Sequence, residues 1–397
     1  MDPTGRVLAA LDHGVPDRIP VHAVAIDGSM VDEVLGAPSR TAFDVMAVMQ
    51  QEDPVGWASR FSEMIGELES SVFGRMLEAA ARLGFDACGC GYIPLRVESM
   101  NRMTDVFGRV YRIVNNKGNI FPLYLDGMIK TRHDWEAWPP IDVKGTCRKA
   151  KRLYSSVKRR VKDAILVIAQ DDYSSVFPPA WQGMGMPAFS RALRKDPRLV
   201  EERLATNTEL VIALFKAYHE AGARVFFEGG DIAFKGGPLI SPKHVDKFVK
   251  PCFQRLTREV HSWSGDPKII FHSDGDVTPL LDFVVEAGFD ALHCLEPPHV
   301  DPVLVKQRIG DKLCLLGNID TSHVLVDGSR AEVEGAVQAA ISTMGHGGGF
   351  ILSPTNDHPG ISLQRVRWMI DAARRFGTGP LETMDNGHGR GAPCNRD

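Results

Sequence analysis

A chain of 397 residues has room for a large buried core, and 44% hydrophobic with 24% charged residues is an ordinary soluble, globular mixture. A formal net charge of −4 and a pI near 6.4 exclude a general basic field for nucleic acid, and no apolar run approaches the ~20 residues of a membrane span. Seven cysteines, an odd number, and an amino terminus without a basic-then-apolar leader suit a reducing cytoplasm, with free thiols rather than a disulfide framework. Cys88-Gly-Cys90 is a lone CxC, and no paired CxxC zinc signature is present.

Arg6 to His13 reads as a short helix and Ile19 to Val24 as a strand. Thr41 to Met64 is mixed, and Val72 to Leu83 carries Met76, Ala79, Ala80 and Leu83 on one helical stripe. Gly84 to Gly91 reads as a helix end followed by a short strand. Between Asp105 and Asp142 the pattern changes. Val106 to Val114 alternates apolar and polar residues and Tyr124 to Ile129 supplies a return strand, so a small antiparallel β excursion is expected there. From Cys147 onward strands and helices alternate. Apolar strands are expected at Ala164–Ala169, Ala223–Phe227, Lys268–Phe271, Phe289–Cys294, Leu313–Leu316 and Phe350–Ser353, with helices between them. Asp196 and Ser241 each precede a proline at the first helical position and read as N-caps. Eight continuous apolar strands joined by helices predict an α/β fold, a single (β/α)8 TIM barrel over residues 1–378, and a disordered tail over 379–397.

In such a barrel the carboxyl ends of the strands share one mouth. The stretch Lys268-Ile-Ile-Phe-His-Ser-Asp-Gly-Asp-Val277 stands out, because a buried strand runs directly into His272, Asp274 and Asp276. The other strand ends add Asp27, Asp86, Asp171, Asp172, Glu228, Asp231, Glu296, Asp320, Asp357 and His358, with Tyr173, Lys235, His293, Cys294, Asn318 and Asn356. Crowded acids raise one another's pKa or bind cations, so this rim suits a metal, a cationic group or proton chemistry better than a polyanion. Glu228, Asp231, His272, Asp274 and Glu296 are the catalytic candidates. His22, Asp27, Asp86, Asp172, Tyr173, Lys235, Asn318, Asn356 and His358 are the substrate-binding candidates. The metal candidates are His272, Asp274, Glu228 and Cys294, although His293 and Cys294 are expected to point to opposite faces of their strand. The same acids also serve as helix caps and loop acceptors in many proteins, and His22 also reads as a core histidine.

Arg6-Val-Leu-Ala-Ala-Leu-Asp-His-Gly-Val-Pro-Asp-Arg-Ile-Pro-Val21 resembles the opening of the uroporphyrinogen decarboxylase superfamily. Similar matches follow at Gly230–Pro238, Phe271–Asp276, Glu286–Asp290, Leu316–Asp320 and Gly347–Pro354, so the resemblance runs through nearly the whole chain. It implies a (β/α)8 barrel and one of two activities: decarboxylation of uroporphyrinogen without a cofactor, or methyl transfer between a corrinoid protein and a thiol or methyl donor, using zinc. The arginine-rich element of the decarboxylases has no counterpart, since that place reads Ala23-Val-Ala-Ile-Asp-Gly-Ser29. The His-x-Cys pair of the zinc enzymes is altered as well: His272 keeps the histidine, Asp274 stands where the first cysteine would be, and Asn356 stands near the second. The resulting expectation is a corrinoid-linked methyltransferase acting on a small methylated substrate, with zinc in the barrel and the corrinoid on a separate partner protein. The alternatives are a decarboxylase and a non-catalytic ligand-binding barrel. A homodimer is allowed by this reading; nucleic-acid and membrane partners are not expected.

Overall fold

Strand β1 (His22–Ala23) follows the helix Pro3–Leu11, and β2 (Ala87–Cys90) follows the long helix Trp57–Leu83. Four antiparallel strands come next: β3 (Leu95–Ser99), β4 (Arg102–Asp105), β5 (Arg109–Asn116) and β6 (Asn119–Gly127). Strands β7 (Leu166–Gln170) and β8 (Val225–Gly229) return to the main sheet, and the hairpin β9 (Ala233–Phe234) with β10 (Gly237–Pro238) stands apart. Strands β11 (Lys268–His272), β12 (Ala291–Cys294), β13 (Cys314–Ile319) and β14 (Phe350–Pro354) complete the series. The computed structural model describes residues 1–37, 42–116, 119–171, 173–357 and 360–378. The expected tail over 379–397 lies outside them.

The main sheet runs β1-β2-β7-β8-β11-β12-β13-β14, every pair parallel, and a parallel bridge between Val21 and Leu352 joins its two edges. This is the (β/α)8 barrel that eight apolar runs predict. Between β2 and β7 the outcome differs from expectation. The antiparallel sheet begins at Leu95 rather than 105 and ends at Gly127, and the following segment holds the short helix Arg132–Glu136. The helix read over 72–83 is the second half of Trp57–Leu83.

Along each barrel strand, alternate residues face inward. Ala87, Leu166, Ile168, Val225, Phe227, Ile270, Ala291, Cys314, Leu316 and Ile351 fill the interior and pack with Val7, Ala10 and Leu11 of the first helix. That helix lies against β2, β7 and β14 and plugs the amino end of the barrel. The outward residues, among them Phe226, Phe271 and Leu292, pack under the surrounding helices. Each fully buried side chain of this size contributes about 1.5–3 kcal/mol. Asp86 lies just before β2, at the plugged end, where it accepts hydrogen bonds from Arg6 at 2.6 Å, from Arg18 at 2.7 and 2.8 Å, and from the Val21 amide at 2.9 Å. On the other side of the molecule, buried Arg109 of β5 pairs with Asp105, donates to Gln182 at 3.0 Å and to the Tyr173 carbonyl, and so ties the antiparallel sheet to the loop after β7.

Candidate functional site

Two residues beyond the apolar inward layer, the same alternation places polar groups inside the barrel. Ile270 is followed by His272, Ala291 by His293, Ile351 by Ser353 and Ile168 by Gln170. His22, His293 and Ser353 are fully buried and His272 nearly so. Phe227 forms the floor: its ring stacks on His272 with centroids 5.4 Å apart and on His22 at 6.1 Å. His272 Nδ1 lies 2.8 Å from His293 Nδ1, and His293 Nε2 lies 3.1 Å from Ser353 Oγ and 3.2 Å from the Pro354 carbonyl. His22 Nδ1 reaches the same Ser353 hydroxyl at 3.0 Å.

The other nitrogen of His272 faces the mouth. Nε2 lies 3.6 Å from Oδ1 of Asp231 and 3.6 Å from Oδ1 of Asp274. Asp231 comes from the loop after β8 and Asp274 from the loop after β11, and the Asp274 amide donates to Asp231 Oδ1 at 3.2 Å. Asn356, after β14, donates its amide to Asp274 at 3.0 and 3.2 Å. The Asp274 loop turns at Gly275, with φ of 78°, where an added Cβ would lie 2.3 Å from the Phe234 backbone. Only glycine satisfies both demands. The Gly275 amide then donates to Glu296 at 2.8 Å.

These groups open into a cavity of about 330 Å³, whose walls include Phe73, Tyr92, Tyr173, Gln170, Asn356 and Asp357. Its described lining contains three aspartates and neither arginine nor lysine. Asp231 and Asp274 keep 45% and 43% of their side-chain exposure, directed into this cavity. Loss of bulk hydration raises the Asp231 carboxyl above its ordinary range, Asp274 and Glu296 push it the same way, and His272 opposes them. Burial and the neighbouring His272 lower His22 to about 3, and burial takes His293 well down too, which favours the neutral form of both rings.

A hydrogen bond does not span 3.6 Å, but two ligands of one tetrahedral zinc ion stand ~3.4 Å apart. The donor atoms of Asp231, His272 and Asp274 lie within 4.8 Å of one another, and so do those of His272, His293 and Cys294. These residues therefore fit a divalent cation. Contrary to the expected alternation, Cys294 shares a donor cluster with His293. Its thiol lies 3.5 Å from Asp274 Oδ1 and is held well above its usual pKa by burial first and by Asp274 next.

Of the residues expected at the mouth, the structure brings together His272, Asp231, Asp274, Tyr173 and Asn356 around the cavity and His22 beneath it. Two expectations, for Asp86 and Glu228, are corrected, and two further residues, Asp27 and Lys235, are placed outside the cavity lining. Asp86 precedes its strand and stands at the opposite end of the barrel, paired with Arg6 and Arg18. Glu228 shares the outward face with Phe226, where it is buried and accepts from the Val176 amide at 2.8 Å, and among the described residues it joins neither donor cluster nor the cavity lining. Asp27 caps the helix Gly28–Leu35 by accepting from the Ser29 amide at 2.9 Å. Lys235 is exposed on the turn of the β9–β10 hairpin. Glu296 serves the Gly275 turn, and Asn318 is half-buried near the end of β13. Asp172 and His358 lie outside the described residues. His293, Ser353 and Gln170 were not among the chosen site residues. Their signal was a polar residue two positions after an inward apolar one at the close of a strand.

The family model for uroporphyrinogen decarboxylase (URO-D) matches residues 102–376. A methylcobamide:CoM methyltransferase MtaA of Methanosarcina barkeri is 26% identical over 197 residues, 49% of this chain and 54% of that protein. A uroporphyrinogen decarboxylase of Thioalkalivibrio sulfidiphilus is 26% identical over 190 residues, 47% of this chain and 51% of its own length. The matches thus span about half the length of these relatives. A methyltransferase from Methanosarcina mazei superposes with a TM-score of 0.72 over 95% of this chain and 99% of its own, at 20% identity, and so shares the fold. No described helix is long and apolar enough to cross a membrane. From the family match over residues 102–376, the chain belongs to the uroporphyrinogen decarboxylase family.

Proposed function

We propose that the protein is a methyltransferase acting on a small methylated substrate, with the corrinoid carried by a separate partner protein. The observation that carries this reading is the cavity's charge: Asp231, Asp274 and Asp357 line it, and no arginine or lysine does among the described residues. Uroporphyrinogen carries many carboxylates and would be repelled there. A volume of about 330 Å³ is at the lower end for ligand pockets and suits a small molecule. The half-length similarity to a methylcobamide:CoM methyltransferase is compatible with this reading, and the equal similarity to a uroporphyrinogen decarboxylase leaves the choice to the cavity's charge.

In this reading His272, Asp231 and Asp274 hold a divalent cation, zinc by the nature of the donors, with Cys294 adjacent as a further ligand. The bound ion would supply Lewis-acid polarisation of the substrate's heteroatom. Asn356 orients Asp274 through its amide, and Phe227 fixes the plane of His272. Tyr92, Tyr173 and Phe73 give the substrate an aromatic wall that limits water. Without the ion, Asp231, whose carboxyl is raised above its ordinary range, is placed to hold a proton next to His272. That proton also favours a second reading, in which Asp231 protonates the carbon left by decarboxylation of a small acid.

Metal analysis of protein purified without chelator is the test. One zinc per chain is expected, lost in His272→Ala together with methyl transfer to or from a corrinoid protein. A protein that stays metal-free after zinc dialysis, or one that converts uroporphyrinogen to coproporphyrinogen, removes the proposal.

A further inference from the structure

The hydrogen bonds behind His272 have a direction, and a carbonyl group sets it. The Pro354 carbonyl oxygen can only accept, and it lies 3.2 Å from His293 Nε2 and 2.8 Å from the Ser353 hydroxyl. Both neighbours must therefore donate. The Ser353 hydrogen goes to Pro354, and its oxygen is left to accept from His293 Nε2 at 3.1 Å and from His22 Nδ1 at 3.0 Å. A neutral imidazole carries one hydrogen. With that hydrogen on Nε2, His293 presents a bare Nδ1 to His272, 2.8 Å away. A separation that short between two nitrogens requires one donor, so His272 Nδ1 carries the hydrogen.

We infer that His293 is a positioning residue: anchored by Ser353 and Pro354, it sets the tautomer of His272 so that Nε2 bears the lone pair directed at Asp231 and Asp274. The reverse chain fails at one point. It would make His293 Nε2 an acceptor and set its lone pair against the Pro354 carbonyl oxygen at 3.2 Å, inside a site with no access to bulk water. In the forward chain every contact behind His272 joins a donor to an acceptor, and the consequence appears at the mouth. One nitrogen lone pair and two carboxyl groups converge at 3.6 Å, a donor set that a cation would join. The barrel interior thus prepares His272 as a ligand, as the partners behind metal-bound histidines do. The use of that lone pair to hold a metal rests on the proposed function; the tautomer itself does not.

The experiment uses the whole chain with ¹⁵N-labelled histidine, metal-free, at alkaline pH where imidazoles are neutral. Loss of a signal in His272→Gln assigns the ring. Long-range proton–nitrogen correlation is expected to show His272 protonated on Nδ1 and bare on Nε2. His293→Leu removes the acceptor, and His272 is expected to move toward the Nε2-protonated form. His293→Gln keeps an amide oxygen to accept from His272 and an amide nitrogen to donate to Pro354, and is expected to retain the wild-type pattern even if the leucine variant fails to fold. Zinc affinity, measured by competition with a chromophoric chelator, is expected to fall roughly 10–100-fold in His293→Leu and to recover in His293→Gln. Protonation of His272 on Nε2 in the wild type overturns the inference, as does an unchanged pattern in a folded His293→Leu. If the pattern is as expected but zinc fails to bind the wild type, the tautomer stands and the metal reading falls.

Discussion

At the plugged end of the barrel, Asp86 sits between Arg6 and Arg18, with oxygens 2.6 and 2.7 Å from guanidinium nitrogens and a backbone amide to complete its shell. At the open end, Asp231 and Asp274 face one imidazole at 3.6 Å, and the described cavity lining holds neither arginine nor lysine. The residue type is the same and the company is opposite. A buried carboxylate with two arginines is satisfied and holds the ends of β1 and β2 together. Carboxylates gathered around a single imidazole are costly to the fold, and their natural complement is a ligand from outside. The opening segment Arg6 to Arg18, which carries part of the family resemblance, belongs to the first group: Arg6 also binds Asp17 at 2.7 Å, and the segment is a latch for the closed end rather than part of the site.

The largest effect is expected from breaking the satisfied end. Asp86→Ala leaves two guanidinium groups and the Val21 amide without their acceptor and is expected to cost about 3–5 kcal/mol in urea unfolding, against an unchanged chemistry at the mouth. An intermediate effect separates structural from functional acids at the open end itself. Asp27→Ala removes a helix cap and is expected to cost about 1 kcal/mol, with zinc affinity unaltered. A parallel loss of affinity would return Asp27 to the site. The smallest effect has the opposite sign. The folded Asp231 carboxyl is raised above its unfolded value, so its contribution to stability is full below about pH 3.9 and is lost as pH rises through the folded pKa. Asp231→Asn is therefore expected to unfold at slightly higher urea than wild type at neutral pH, by less than about 1 kcal/mol because the side chain is half-exposed. The gain should vanish in acid, and added zinc should reverse it. A variant less stable than wild type at neutral pH without metal would contradict the comparison.

All eight barrel strands were legible because parallel strands buried on both faces are continuous apolar runs. The same property hid which side chains face inward. Phe226 and Phe227 read alike in the sequence, yet one packs under the helices and the other floors the site, so the outward direction of Glu228 could not be read from its neighbours. Asp86 failed for a different reason: β2 has four residues, and a shift of one turn of chain moves an acid from one end of the barrel to the other. His272, Asp231 and Asp274 were readable because each stands at or just past the end of a clearly bounded strand. His293 and Ser353 were not chosen because they lie inside strands, where a polar residue looks like part of the core. Their meaning depends on atoms from β11, β12 and β14 meeting across the barrel, which no local pattern carries. The antiparallel sheet began earlier than expected because Leu95 and Val97 alternate with Arg96 and Glu98 over too few residues to stand out.

The helix Pro3–Leu11 closes one end of the barrel, and the cavity lies at the other. Whatever is made in the cavity would leave by the route its successor uses to enter, and in the proposed function a partner protein that delivers or collects a methyl group would cover that same opening. Arrival and departure then take turns. In steady-state terms, such an enzyme is expected to slow when either visitor is in excess, because each occupies the threshold the other needs.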